Sequence, residues 1–155
     1  MIRTLARSGL LVAVLLLGSN DASAQSSPSC TISVTSVAFG NYSVFTTSAN
    51  DSSGTVTFRC NSQSTNISIA LSDGSSSTFS PRTLRKGGEV LNYNLYRDAA
   101  RSTIWGDGTG GTSLYTNANP PNNSNVNVTI YARSPAQQDV SAGSYSDTVS
   151  AVINF

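Results

Sequence analysis

The chain has 155 residues, nine Lys plus Arg, eight Asp plus Glu and no His. Only 11% of residues are charged, while Ser, Thr and Asn together number 58. The lack of His excludes Ser-His-Asp and Cys-His catalysis and imidazole metal ligation, and a net charge of +1 gives no field for a phosphate backbone, so no nucleic-acid partner is expected.

Residues 1–8 carry Arg3 and Arg7 and no acid, residues 9–17 read GLLVAVLLL, and Ala22-Ser23-Ala24 follows. This is the n-region, h-region and A-x-A site of a signal peptide over residues 1–24. The apolar run is too short to span a bilayer, which needs about 20 residues, so no integral membrane segment is expected after cleavage. Residues 25–155 then form one domain that folds outside the cytoplasm, where disulfides persist. Cys30 and Cys60 are the only cysteines, and a bridge between them is favoured over free thiols or a metal pair.

Alternation with period two runs through the rest of the chain and predicts strands. Residues 30–37 place Ile32 and Val34 on one face. Residues 39–46 form a weaker strand. Residues 55–60 turn Val56, Phe58 and Cys60 inward, and residues 66–71 do the same with Ile67, Ile69 and Leu71. A turn over 72–77 leads to Arg82, Arg85 and Lys86, read as a solvated basic loop. Residues 90–96 alternate through Leu91, Tyr93 and Leu95. A short strand is predicted at 103–105, followed by the glycine-rich turn 106–111 and the loop 117–123. Residues 126–131 and 148–155 complete the set, the last through Val149, Ala151, Ile153 and Phe155.

Short alternating strands between Gly, Ser, Asn and Asp turns predict an all-β sandwich. The last strand runs to Phe155, with no following strand to pair beside it. The edge it leaves would need covering by another chain. No two of the acids stand out as a facing catalytic pair of the glycosidase kind, Asp147 is expected to pair with Arg97 or Arg133 at the surface, and the 106–111 loop lacks the ligand pattern of a P-loop or an EF-hand. No enzyme activity, metal or cofactor is expected.

FGNY at 39–42, VTFRC at 56–60, RTL at 82–84, LNYNLYRDAA at 91–100, IWGDGT at 104–109 and GSYSDT at 143–148 together resemble the spore coat protein U family, which includes subunits of archaic chaperone-usher pili. The resemblance covers residues 30–155. It implies an incomplete immunoglobulin-like β-sandwich lacking its final strand. It also implies a periplasmic chaperone, an outer-membrane usher and other pilus subunits as partners, with export to the periplasm and then to a surface fibre. A donated strand would enter by β-strand addition. Val149, Ala151, Ile153 and Phe155 are the expected groove residues, and Trp105, Gly106, Asp107, Gly108, Tyr145 and Asp147 the expected structural motif. After cleavage, residues 25–29 have no apolar side chain to insert and include Pro28, so the subunit is expected to accept a strand rather than donate one, at a terminal position in a fibre. A tip adhesin binding a surface or glycan, and a spore- or cell-coat protein, are the alternatives.

Overall fold

The computed structural model describes residues 27–62 and 64–155; the signal-peptide segment lies outside them. Eight strands form in chain order: β1 (Cys30–Thr35), β2 (Asn50–Cys60), β3 (Ile67–Leu71), β4 (Arg82–Lys86), β5 (Glu89–Tyr96), β6 (Tyr115–Asn117), β7 (Val126–Ser134) and β8 (Ala151–Asn154). They make a five-stranded sheet, β1-β2-β7-β5-β4, and a three-stranded sheet, β6-β3-β8. No helix among the described residues is long and apolar enough to cross a membrane.

The alternating residues supply the layer between the sheets. Val56, Phe58 and Cys60 of β2, Ile67, Ile69 and Leu71 of β3, Tyr93 and Leu95 of β5, and Ile130 and Ala132 of β7 pack with Trp105 in one buried cluster. Each large apolar side chain taken from water contributes about 1.5–3 kcal/mol, so the period-two pattern selects which face of each strand turns inward. The antiparallel register Cys30↔Cys60 sets the two cysteines side by side, with Cα atoms 4.1 Å apart, and the disulfide is formed.

The elements differ from expectation where the pattern is weak. β2 begins at Asn50 rather than 55, because residues 50–54 pair with β7 from Asn50↔Ser134 to Gly54↔Ile130 without any apolar alternation of their own. Gly54 is required there: a Cβ would lie 2.8 Å from the Thr35 carbonyl oxygen and 2.9 Å from Val37 Cγ2. Residues 39–46 form no strand, and 103–105 make only the isolated bridges Tyr96↔Ile104 and Trp105↔Ser113. The supposed solvated loop at 82–86 is β4, paired with β5 through Leu84↔Leu91. Arg82 points inward and is fully buried.

Candidate functional site: an apolar trough between two sheet edges

Among the described residues β1 pairs only with β2, and β8 only with β3. These two strands face one another along one side of the sandwich without pairing. Between the chain leaving β1 and the chain entering β8 lies a cleft of about 350 Å³, lined mostly by apolar side chains, Val34, Val37, Phe39, Leu71, Leu84, Leu95, Ile130, Val149 and Ala151, with Thr35, Ser36, Tyr93, Asp147 and Thr148 also in its wall. A wider open depression of about 830 Å³ between residues 37–45 and 140–147 continues it, sharing Val37, Phe39, Leu84 and Asp147. Val34 alternates with outward Thr and Ser yet is 50% exposed, because no strand stands opposite it.

Val149 and Ala151 line the cleft. Ile153 packs on the core cluster further along β8, and Phe155, just past the strand, is half exposed. The opposite wall, Val34, Val37 and Phe39, was not singled out from the sequence. Its apolar alternation reads as ordinary core, and only the missing neighbour distinguishes it.

The segment entering β8 is positioned by side chains. Ser72 N donates to Ser150 O (2.9 Å) and Ser150 N donates to Ser72 Oγ (3.0 Å). Asp147 accepts from Tyr93 Oη (2.7 Å), Ser75 N (2.9 Å) and Thr148 N (2.8 Å). Its carboxylate packs on Gly74, where a Cβ would lie 2.8 Å from Asp147 Cγ. Burial would raise the Asp147 carboxyl, but the Tyr93 hydroxyl and the Ser75 and Thr148 amides hold it below its ordinary range. Burial and then the Asp147 carboxylate push the Tyr93 hydroxyl well up. Asp147 therefore does not pair with Arg97 or Arg133. Arg133 instead binds Asp51 through Nε (2.7 Å) and Nη2 (2.8 Å), its direct partner in the register of β2 and β7, while Arg97 lies over the Tyr115 ring at 5.9 Å.

A model of the Spore Coat Protein U domain matches residues 16–152. The chain belongs to this family. Protein U of Myxococcus xanthus is 40% identical over 68 residues, which cover 43% of this chain and 35% of that relative; the chain thus spans about a third of the relative's length in the match. A chain in the crystal structure of the CsuC-CsuE chaperone-tip adhesion subunit pre-assembly complex, from archaic chaperone-usher Csu pili of Acinetobacter baumannii, superposes with a TM-score of 0.59 at 20% identity. That match covers 83% of this chain and 40% of the other. At that identity it establishes the shared sandwich fold.

Within this family member the remaining motif residues lie away from the trough or along its rim. Trp105 is fully buried and its Nε1 donates to Ile69 O (2.9 Å). Gly106 meets Thr112 so closely that a Cβ would lie 2.6 Å from Thr112 Cβ. Asp107 Oδ1 accepts from Thr109 N (2.9 Å) and Thr109 Oγ1 (2.6 Å), and Gly108 N donates to Thr112 Oγ1 (3.1 Å), so this run closes a self-contained turn. No group of three or more metal-ligating side chains occurs among the described residues.

Tyr145 belongs to a different contact, one that fastens the rim. Glu89 accepts from Tyr145 Oη, from Ser141 Oγ (2.8 Å) and from Ser141 N (3.0 Å). Lys86 Nζ donates to Ser141 Oγ (2.5 Å) and Ala142 O (2.8 Å). The Tyr145 hydroxyl, followed by the Ser141 donors, lowers the Glu89 carboxyl from 4.5 to about 2. A carboxyl lowered on folding contributes stability that is complete above its unfolded value and is lost as pH falls through its folded value. The window here runs from 4.5 down to about 2. Tyr145→Phe is expected to be less stable than the parent at neutral pH, with the two converging as pH approaches about 2. Urea midpoints across that range check this, and parallel curves would refute it.

Proposed function

We propose that this protein is a non-enzymatic structural subunit of a secreted surface fibre of the archaic chaperone-usher type. The trough between β1 and β8 accepts a β-strand, first from a periplasmic chaperone and, at the outer-membrane usher, from a neighbouring subunit. The observation that carries this reading is the pair of facing, singly bonded sheet edges flanking an apolar cleft. An open edge exposes a row of backbone N–H and C=O groups and is an aggregation hazard when left bare. An added strand satisfies those groups while its alternate side chains fill the cleft. Family membership and the shared fold with a chain of a chaperone–subunit complex support the same conclusion.

Co-expression with an archaic-type periplasmic chaperone tests it. A one-to-one complex is expected in the periplasm. Ala151→Asp, on the inward face of β8 and in the cleft wall, is expected to lower its recovery about tenfold or more, because an added strand would bury an unpaired carboxylate. Val152→Asp, on the exposed face, is expected to leave recovery unchanged. Equal recovery of both variants would refute strand acceptance at β8.

A further inference from the structure

The wall residues of the narrow cleft are mostly apolar, but Asp147 lines both the cleft and its wider continuation. Its hydrogen-bond partners, the Tyr93 hydroxyl and the amides of Ser75 and Thr148, are all neutral. Among the described residues the ion pairs within 4.0 Å both belong to Asp51, and none to Asp147. Arg82, whose charge interacts with Asp147, directs its N–H groups to Ser72 O, Asn94 Oδ1 and Trp105 O instead. The carboxylate cannot swing freely, since it rests on Gly74 and is tied to Tyr93 and Ser75. Among the described residues Asp147 is thus a fixed, part-buried anion with no cation in direct contact, Arg82 acting on it only from beyond ion-pair distance, beside a mostly apolar surface. Partial desolvation strengthens its attraction for a cation and penalises an apolar or acidic neighbour.

We infer that the strand seated in this trough carries, among its alternating apolar residues, one lysine or arginine placed against Asp147, and that this pair sets the register of the strand. This inference rests on the strand-accepting reading above. The physical basis is the period of a strand. A slip of two residues keeps the same side chains facing inward but moves each by about 6.6–6.8 Å. Apolar pockets tolerate such a slip when the side chains are alike. A single charge pair does not, because the slip sets an apolar side chain against the carboxylate and buries the displaced cation elsewhere.

The test uses the full chain and synthetic peptides alternating Val and Thr, with Lys, Gln or Glu at one inward position that is walked along the peptide in steps of two. Binding is read by fluorescence anisotropy. The expected result is an affinity order Lys, Gln, Glu at a single position, with Lys favoured over Glu about tenfold. That preference is expected to weaken with added salt and to fall within about twofold in Asp147→Asn, which keeps an acceptor oxygen but loses the charge. If the peptides bind with equal affinity whatever the residue, the basic partner is refuted while strand acceptance stands. If no peptide binds the folded protein, strand acceptance fails and this inference with it. Should Asp147→Asn not fold, the Lys-to-Glu ratio of the parent protein and its salt dependence still decide the matter.

Discussion

Replacing Arg82 by alanine is expected to destabilise the sandwich by about 2–5 kcal/mol, from buried acceptors that lose their donor and from the cavity left behind. The guanidinium is fully buried. Nε and Nη2 donate to Ser72 O (3.0 and 2.8 Å), Nη1 to Asn94 Oδ1 (2.8 Å), and Nη2 also to Trp105 O (2.7 Å). The Phe79 ring lies 5.2 Å from its central carbon. Burial pushes its pKa below the ordinary arginine value, the physical sign that the charge is held at a cost the acceptors must offset. Alanine takes the Arg82 donors from Ser72 O and Trp105 O, at about 1–3 kcal/mol for each acceptor left dry, and opens a cavity beside Trp105. Asn94 Oδ1 keeps its bond from Leu95 N. The effect extends to the trough, because Ser72 also clasps Ser150 at the entry to β8. Lysine presents a single ammonium and cannot span the three acceptor groups, so Arg82→Lys is expected to fall between the parent and alanine. Urea unfolding measures all three. An Arg82→Ala variant within about 1 kcal/mol of the parent would show that the network contributes little.

Removing the Cys30–Cys60 disulfide is expected to cost about 3–4 kcal/mol, the loop-closure value for a bridge of this span; the cysteines are 30 positions apart. The loss should be unevenly distributed. Among the described residues β1 has one paired neighbour, and its Ile32 and Val34 are only partly covered. Without the bridge β1 has little to hold it against β2 beyond six register pairs. In a Cys30→Ser, Cys60→Ser double variant, amide exchange is expected to rise first in β1 while β3, β5 and β7 stay protected. Uniform loss of protection, or a change in stability under about 1 kcal/mol, would contradict this. A freed β1 also removes one wall of the trough, so chaperone recovery should fall with it.

The same particulars show which features were legible beforehand. The alternation in β2, β3, β5 and β7 is a local signal, since each strand buries one continuous apolar face, and it located core residues from Val56 to Ile130, while Ala132 lies past the predicted end of β7. The cysteine pair was equally legible. β4 was not, because Arg82-Thr83-Leu84-Arg85-Lys86 has the composition of a solvated loop. Arg82 becomes an inward residue only when Ser72, Asn94 and Trp105, 10 to 23 positions away, bring their acceptors to it. Asp147 was recognised as part of a motif but assigned the wrong partners, because arginine proximity depends on register. Arg133 stands opposite Asp51, and Tyr93 and Ser75 reach Asp147 from other strands and turns.

The sequence by itself determined an all-β chain, the inward face of its main strands and its one disulfide, all of which follow from residue type and a period of two. Only the tertiary structure decided that Val34, Val37 and Phe39 face Val149 and Ala151 across an open cleft, and that Asp147 stands beside it with no cation in direct contact among the described residues. Inward-facing apolar residues have the same pattern whether or not a strand lies opposite them. What separates a core from a trough is the neighbour, and strand neighbours are set by long-range pairing.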